Sequence, residues 1–154
     1  MLMKRGSAIS VYDYWQLNRR KLAMQKACLA KWKTIRSPTT DRKVDILITP
    51  TMPHVSVPHR SCKWVGYTKI WNFLDSSALV LPAGQVDKSI DKPLEDQEVR
   101  AYVPRNDTDR WNWALYDPVK MHGLPVSVQI VGQRLEEEKV LGAAHVIEQI
   151  LQKS

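Results

Sequence analysis

A strict alternation of apolar and polar residues precedes Gly132, in the order Val126, Ser127, Val128, Gln129, Ile130. Successive side chains of a β-strand point to opposite faces, so this period of two predicts a strand with one apolar face. Gly123 and Pro125 precede the strand and Gly132 follows it, residue types that commonly bound a strand. A chain containing this strand needs a layer of apolar side chains to cover its inner face.

A helix is predicted directly after this strand. Three consecutive acids, Glu136 to Glu138, place negative charge where the start of a helix is electropositive. The residues that follow form an apolar stripe at helical spacing: Val140, Leu141, Ala144, Ile147 and Leu151. We expect this stripe to cover the sheet.

Two further strands and a short helix are predicted in the middle of the chain. The β-branched, nearly continuous apolar run 44–50 is typical of a central strand covered on both faces. The spacing over 68–77 predicts a short helix, and the apolar run 78–81 predicts another buried strand. Helices alternating with short apolar strands indicate an α/β layered architecture.

The first 43 residues predict a long basic helix. Ser10, with Asp13 three residues later, is a typical helix start, and Ser37-Pro38 ends the helix near Ile35. An apolar stripe with period seven is predicted to pack, with Trp15 in the core: Ala8, Trp15, Leu22 and Leu29. Residues 1–43 carry a net charge of +9, whereas the remainder carries −2. A solvated basic face is the favoured interpretation, and an arm that binds nucleic acid or another acidic partner is the alternative.

Residues 87–112 are mostly charged and polar, and they predict a long surface loop. The sequence thus divides into a basic helix over 1–43 and a strand–helix body over 44–154. No run of about 18 apolar residues and no secretory leader pattern is present, so a cytoplasmic location is expected. Cys28 and Cys62 are expected to be free thiols.

Several well-known catalytic and metal-binding motifs are missing from the sequence. His54, His59 and Cys62 match no four-ligand zinc pattern, so scattered loop residues are the favoured interpretation. There is no Gly-x-Ser-x-Gly turn that would present a nucleophilic serine, and no glycine loop that would hold a phosphate. We therefore predict no metal and no organic cofactor.

Four short motifs, taken together and in order, resemble the carboxyl-terminal part of amidase-signature amidohydrolases, particularly the fungal acetamidase-like and fatty-acid-amide-hydrolase-like branches. The strongest is 122–134, which resembles that family's Gly-x-Pro-x-x-x-Gln-x-x-Gly strand and turn and leads into the acids 136–138. The others are 45–51, 67–72 and 79–82. The resemblance covers nearly the whole chain and implies a partial amidase-signature fold, with strands of a mixed sheet flanked by helices. The whole chain, 1–154, would then be the carboxyl-terminal portion of a single amidase domain.

The same resemblance implies hydrolysis of a carboxamide, a small-molecule substrate, through a serine acyl-enzyme. In that family a second serine and a lysine activate the nucleophile, and backbone amides hold the oxyanion. The glycine-flanked serines and the lysine have no counterpart here, because the sequence has no Gly-Gly pair and its one Ser-Ser, Ser76-Ser77, lacks flanking glycines. No catalytic residue is therefore assigned, and the chain is expected to be inactive alone.

Three aromatic residues next to loops, Tyr67, Trp71 and Trp111, are candidates for the lining of a substrate pocket, although packing is the favoured use of such side chains. Two alternatives to an amidohydrolase fragment remain open. One is a non-catalytic binding module that uses 1–43, and the other is a remnant that associates with a missing half or an intact relative. The strands need neighbours, so the chain alone is expected to expose sheet edges and apolar surface.

Overall fold

The computed structural model describes residues 6–95 and 101–153. In the described residues the helices are α1 (Val11–Thr34), α2 (Gly66–Leu74), α3 (Asp107–Trp113), α4 (Pro118–Met121) and α5 (Glu137–Leu151). The strands are β1 (Leu47–Pro50), β2 (Ala78–Gln85) and β3 (Pro125–Val131). The predicted α/β organisation, with helices beside a sheet, is confirmed. Residues 1–5 of the predicted basic segment, residues 96–100 of the predicted loop and Ser154 lie outside the described ranges.

The sheet is antiparallel with the strand order β1-β3-β2, so β3 is its central strand. Ile130 and Val131 of β3 are fully buried, and Ile130 pairs with Ile48 on one side and Leu79 on the other. The prediction that 44–50 forms a central strand is therefore wrong for this chain. The apolar run correctly indicated that part of β1 is partly buried. Among the described strands, however, β1 pairs only with β3 and so lies at the edge of the sheet.

The hydrophobic core lies between the sheet and α5. Leu81 and Ile130 from the sheet pack with Val140 and Ala144 from the helix. The predicted stripe is confirmed at Val140 and Ala144, with Ile147 and Leu151 packed against the core, and the acidic helix start is confirmed as well. The stripe is wrong at Leu141, which is 57% exposed. None of the helices within the described ranges is both long and apolar enough to cross a lipid bilayer.

Helix α1 begins where the sequence predicts. Ser10 Oγ accepts a hydrogen bond from Asp13 N at 3.0 Å, and the helix continues to Thr34. The expected packing of its apolar stripe is not found: Trp15, predicted to lie in the core, is 62% exposed, and Leu22 is 56% exposed. Helical spacing identifies one face of a helix, but it cannot show whether this chain supplies a partner for that face.

The loop predicted over 87–112 is shorter than expected. Helix α3 starts at Asp107, because Asn106 caps it by accepting a hydrogen bond from Asp109 N at 3.0 Å. The polar composition of this stretch suggested a loop, but acids in a first helical turn are favourable as well.

Candidate functional site

A buried glutamine connects three elements at the end of the sheet. Gln129 of β3 is 2% exposed, and its Nε2 donates to the carbonyl oxygens of Pro50 at 3.0 Å and Tyr67 at 2.8 Å. These two bonds attach the end of β1 and the start of α2 to the central strand. Loss of these two hydrogen bonds would leave a buried amide without partners and would strongly destabilise the fold. Gln129 therefore holds the end of β1 and the start of α2 in place.

An apolar cavity of about 660 Å³ adjoins this connection. Its walls come from all three strands, the loop 51–55, the segment around Val86 and α4. Side chains that line it include Ile48, Val55, Val80, Met121, Val126 and Val128. The volume lies within the range of small-molecule sites, and the walls suit the apolar part of a ligand. Its polar lining includes Ser127 and Asp91.

His54 contributes to the cavity wall from the loop after β1. Its ring packs edge-on against Trp111, with centroids 5.9 Å apart, and Lys63 Nζ lies 5.2 Å from the centre of the Trp111 ring. Burial lowers the pKa of His54, an effect that a contact with its own backbone opposes to a smaller extent. This shift favours the neutral imidazole, which is compatible with an apolar wall.

The three aromatic residues predicted to line a pocket lie in different surroundings. Tyr67 packs edge-on against Trp64 at 4.9 Å and faces a second, more polar cleft of about 740 Å³. Trp111 supports His54 of the cavity wall. Trp71 Nε1 is buried and has no hydrogen-bond partner among the residues described. The structure thus brings Trp111 next to the apolar cavity and Tyr67 next to the second cleft.

Two residues that sequence reasoning did not single out, Tyr102 and Arg105, help to line the second cleft. Tyr102 stacks on Trp113 with centroids 3.9 Å apart, and its hydroxyl donates to Asp109 Oδ1 at 2.8 Å. Arg105 N donates to Asp109 Oδ2 at 2.9 Å. The acceptor residue Asn106 three positions before Asp109 was the available sequence signal for this ordered turn.

Ser76-Ser77 lies immediately before β2, and Ser77 has a structural role. Its Oγ donates to Glu137 Oε1 at 2.7 Å in the first turn of α5, and this bond lowers the pKa of Glu137. Nearby, Arg134 Nε and Asp75 Oδ2 are 2.8 Å apart. Across residues 6–95 and 101–153, His, Cys, Asp and Glu side chains form no group of three that could hold a metal ion. Both cysteines are free.

This chain is similar in sequence to a known protein family and to several curated fungal proteins. A sequence profile of the family described as Amidase matches residues 1–141. Over 150 residues the chain is 53% identical to Amidase 1 of Gibberella moniliformis, covering 97% of this chain and 28% of that protein. It is 34% identical over 139 residues to the acetamidase of Aspergillus oryzae, covering 90% of this chain and 24% of the relative. The chain therefore spans about a quarter of the length of the curated relatives it matches.

A solved structure agrees with the sequence comparisons. The fold superposes on that of a fatty acid amide hydrolase with a TM-score of 0.78 at 25% identity, covering 94% of this chain and 24% of the other. The resemblance stated from the four motifs is thus confirmed over nearly the whole chain. By its sequence and its fold, this chain belongs to the amidase family.

Proposed function

We propose that this chain forms the carboxyl-terminal segment of an amide hydrolase and contributes part of the substrate site. The observation that carries the proposal is the apolar cavity beside Gln129, in a chain that is 53% identical to an amidase over 97% of its length. In the proposed reaction a serine of the complete enzyme attacks the carboxamide carbon, the amine or ammonia leaves, and water releases the carboxylate from the acyl-enzyme.

The chain's own contribution is to bind and to exclude water. Ile48, Val80 and Val126 offer apolar contacts to the non-reacting part of an amide, while a neutral His54 keeps the wall uncharged. Since the seryl nucleophile, its partner serine and the lysine are implied by family resemblance alone, no residue of this chain is given a catalytic role. We expect the chain to be inactive without the segment that carries them.

The three aromatic residues would have different roles. Trp111 would act through His54, Tyr67 would line the second cleft, and the unpartnered Trp71 Nε1 would be available as a donor after a small rearrangement. No metal or organic cofactor is included in this scheme. The free cysteines are compatible with a reducing compartment, and we propose the cytoplasm.

A chimaera tests the proposal directly. This chain replaces the matching 150 residues of Gibberella moniliformis Amidase 1, and hydrolysis of acetamide and of longer alkyl amides is measured. Val80→Trp in the chimaera should fill the cavity and lower kcat/KM for the longer amides by about tenfold or more, with a smaller effect on acetamide. Val119→Trp is the matched control, because Val119 is exposed on α4 and lies outside the cavity lining.

An active chimaera with the Val80-specific loss would support both the family activity and the role of the cavity. A folded chimaera that hydrolyses no amide would contradict the proposed function. If Val80→Trp and Val119→Trp changed kcat/KM equally, the proposed amide hydrolysis would stand, but the cavity would not be part of the substrate site.

A further inference from the structure

One acidic side chain lies in the wall of the apolar cavity. Asp91 lines the cavity, whereas no lysine or arginine of the described residues does. The other titratable side chains of the wall are Tyr116 and His54, and the lowered pKa of His54 favours its neutral form. Among the described lining residues, Asp91 is therefore the one that brings a net charge to the cavity at neutral pH.

Backbone hydrogen bonds hold the Asp91 carboxylate in place. Asp91 Oδ2 accepts a hydrogen bond from Asp87 N at 2.9 Å, and Asp91 N donates to Asp87 O at 2.6 Å, so the two residues close a short turn. Val86 N donates to Leu124 O at 3.0 Å, which anchors this turn next to β3. A carboxylate held by its own turn binds a ligand with little further loss of conformational freedom.

Asp91 makes no ion pair within residues 6–95 and 101–153. The ion pairs found there use other carboxylates, such as that of Asp75 with Arg134. Lys92, the next residue along the chain, is exposed and does not pair with Asp91. Beside apolar walls a charge is screened less than in bulk water, so this carboxylate attracts a cationic group of a ligand.

Tyr116 supplies an aromatic ring next to this carboxylate. Its hydroxyl donates to Lys92 O at 2.9 Å, which holds Tyr116 beside the residue that follows Asp91. Tyr116 is 44% exposed and lines the same cavity. A carboxylate attracts an ammonium group by ion pairing, and the face of an aromatic ring attracts it by cation–π interaction. An anionic group would be repelled here, and a wholly apolar ligand would desolvate Asp91 without giving it a partner.

We propose that Asp91 and Tyr116 form a subsite for a cationic amine, so that the preferred substrates are amides with an amino group at the far end of an apolar chain. The chain would lie along the apolar walls of the cavity, and the ammonium group would meet Asp91. The inference rests on the proposed function in taking an amide as the occupant of the cavity. The ammonium contact is present in the bound substrate and in the transition state alike, so it should lower KM and leave kcat nearly unchanged.

The test compares pairs of amides of equal size in the chimaera with Gibberella moniliformis Amidase 1. In 6-aminohexanamide an ammonium group takes the place of the terminal methyl group of heptanamide, and shorter and longer pairs vary the distance from the reacting amide to Asp91. At the best length, kcat/KM should be about fivefold or more higher for the amino amide than for its methyl counterpart. An amide that ends in a carboxylate should be the poorest substrate of the series.

Asp91→Asn should remove this preference, chiefly by raising KM for the amino amide, because the charge is lost while an amide oxygen can still accept from Asp87 N. Tyr116→Leu should weaken the preference by a smaller factor. Asp107→Asn is the matched control, since it removes the same charge from a side chain that is 99% exposed and lies outside the lining of this cavity. It should leave the ratio of the two kcat/KM values unchanged.

The proposal is overturned if Asp91→Asn keeps the ratio of the unmodified chimaera, or if Asp107→Asn lowers the ratio equally. A preference for the amide that ends in a carboxylate would overturn it as well. In each case, hydrolysis of heptanamide would leave the proposed function standing. Isothermal titration calorimetry with 6-aminohexanamide tests the subsite without hydrolysis: weaker binding by Asp91→Asn than by Asp107→Asn supports the subsite even in a chimaera that hydrolyses no amide.

Discussion

At the scale of single residues, the ends of β3 show how much the sequence determines. Gly123 has φ +81°, a conformation that favours glycine, and it turns the chain into the strand. At the other end a Cβ on Gly132 would lie 2.6 Å from Val140 Cγ2, so this position requires close approach of strand and helix. Both glycines could be recognised in the sequence. The role of Gln129 could not, because its two acceptors lie 62 and 79 residues away along the chain.

Gly132→Ala should destabilise the protein by about 1–3 kcal/mol, because Val140 is already 2% exposed and must shift to admit the methyl group. The matched control is Gly142→Ala in α5, where nothing lies within 4 Å of a built Cβ. That variant should be neutral or stabilising by up to about 1 kcal/mol through helix propensity. Urea unfolding followed by circular dichroism measures both. Equal free energies of unfolding for the two variants would refute the steric explanation.

At the scale of elements, periodicity identified α1, α2, α5 and β3, and it failed at α3. The failure has a physical cause, since α3 has seven residues and is defined by its capping contacts more than by an apolar stripe. Asp109 accepts hydrogen bonds from Tyr102 Oη and Arg105 N, and Tyr102 in turn stacks on Trp113. The residues that make these contacts are close in sequence. Because the stretch is mostly polar, a composition typical of loops, composition alone favoured a loop.

The contacts of Asp109 predict a pH dependence. The hydrogen bond from Arg105 N, followed by that from Tyr102, lowers the pKa of Asp109 below its ordinary value of 3.8. A carboxyl group with a lowered folded pKa contributes stability above its unfolded pKa, and this contribution is lost as the pH falls through the folded value. Asp109→Asn should therefore lower Tm at pH 7, and its difference from the unmodified chain should diminish below about pH 4.

Asp107→Asn provides the control for this measurement, because its side chain is 99% exposed and makes one solvent-exposed ion pair with Arg110, at 3.6 Å. Thermal unfolding of both variants between pH 2 and pH 7 separates the two roles. A difference for Asp109→Asn that is constant over this range would show that the carboxylate charge does not stabilise the turn.

At the scale of the whole molecule, the sequence predicted where helices and strands lie better than it predicted which of their faces are buried. The core between the sheet and α5 is complete within the chain, and here local patterns and burial agree. In α1 and β1 the apolar pattern is present, but the described residues leave apolar side chains uncovered. Trp15 and Ile48 are each more than half exposed. An amphipathic pattern reflects the environment for which a segment is adapted. The α1 and β1 patterns therefore indicate apolar contacts that the described residues do not supply.

This division between a covered core and an open periphery predicts two levels of stability in the isolated chain. Helix α1 is connected to the body through Gln25 and Trp32, whereas β3 pairs on both sides and contains fully buried residues. Native-state hydrogen exchange in low urea should therefore give α1 amides a smaller opening free energy than β3 amides. Trp32→Phe removes the bond to Val44 and should lower protection in α1 further while leaving β3 unchanged. Exchange of α1 and β3 with one common free energy would mean that the chain unfolds as a single cooperative unit, and that the cover missing from α1 is not needed for its stability.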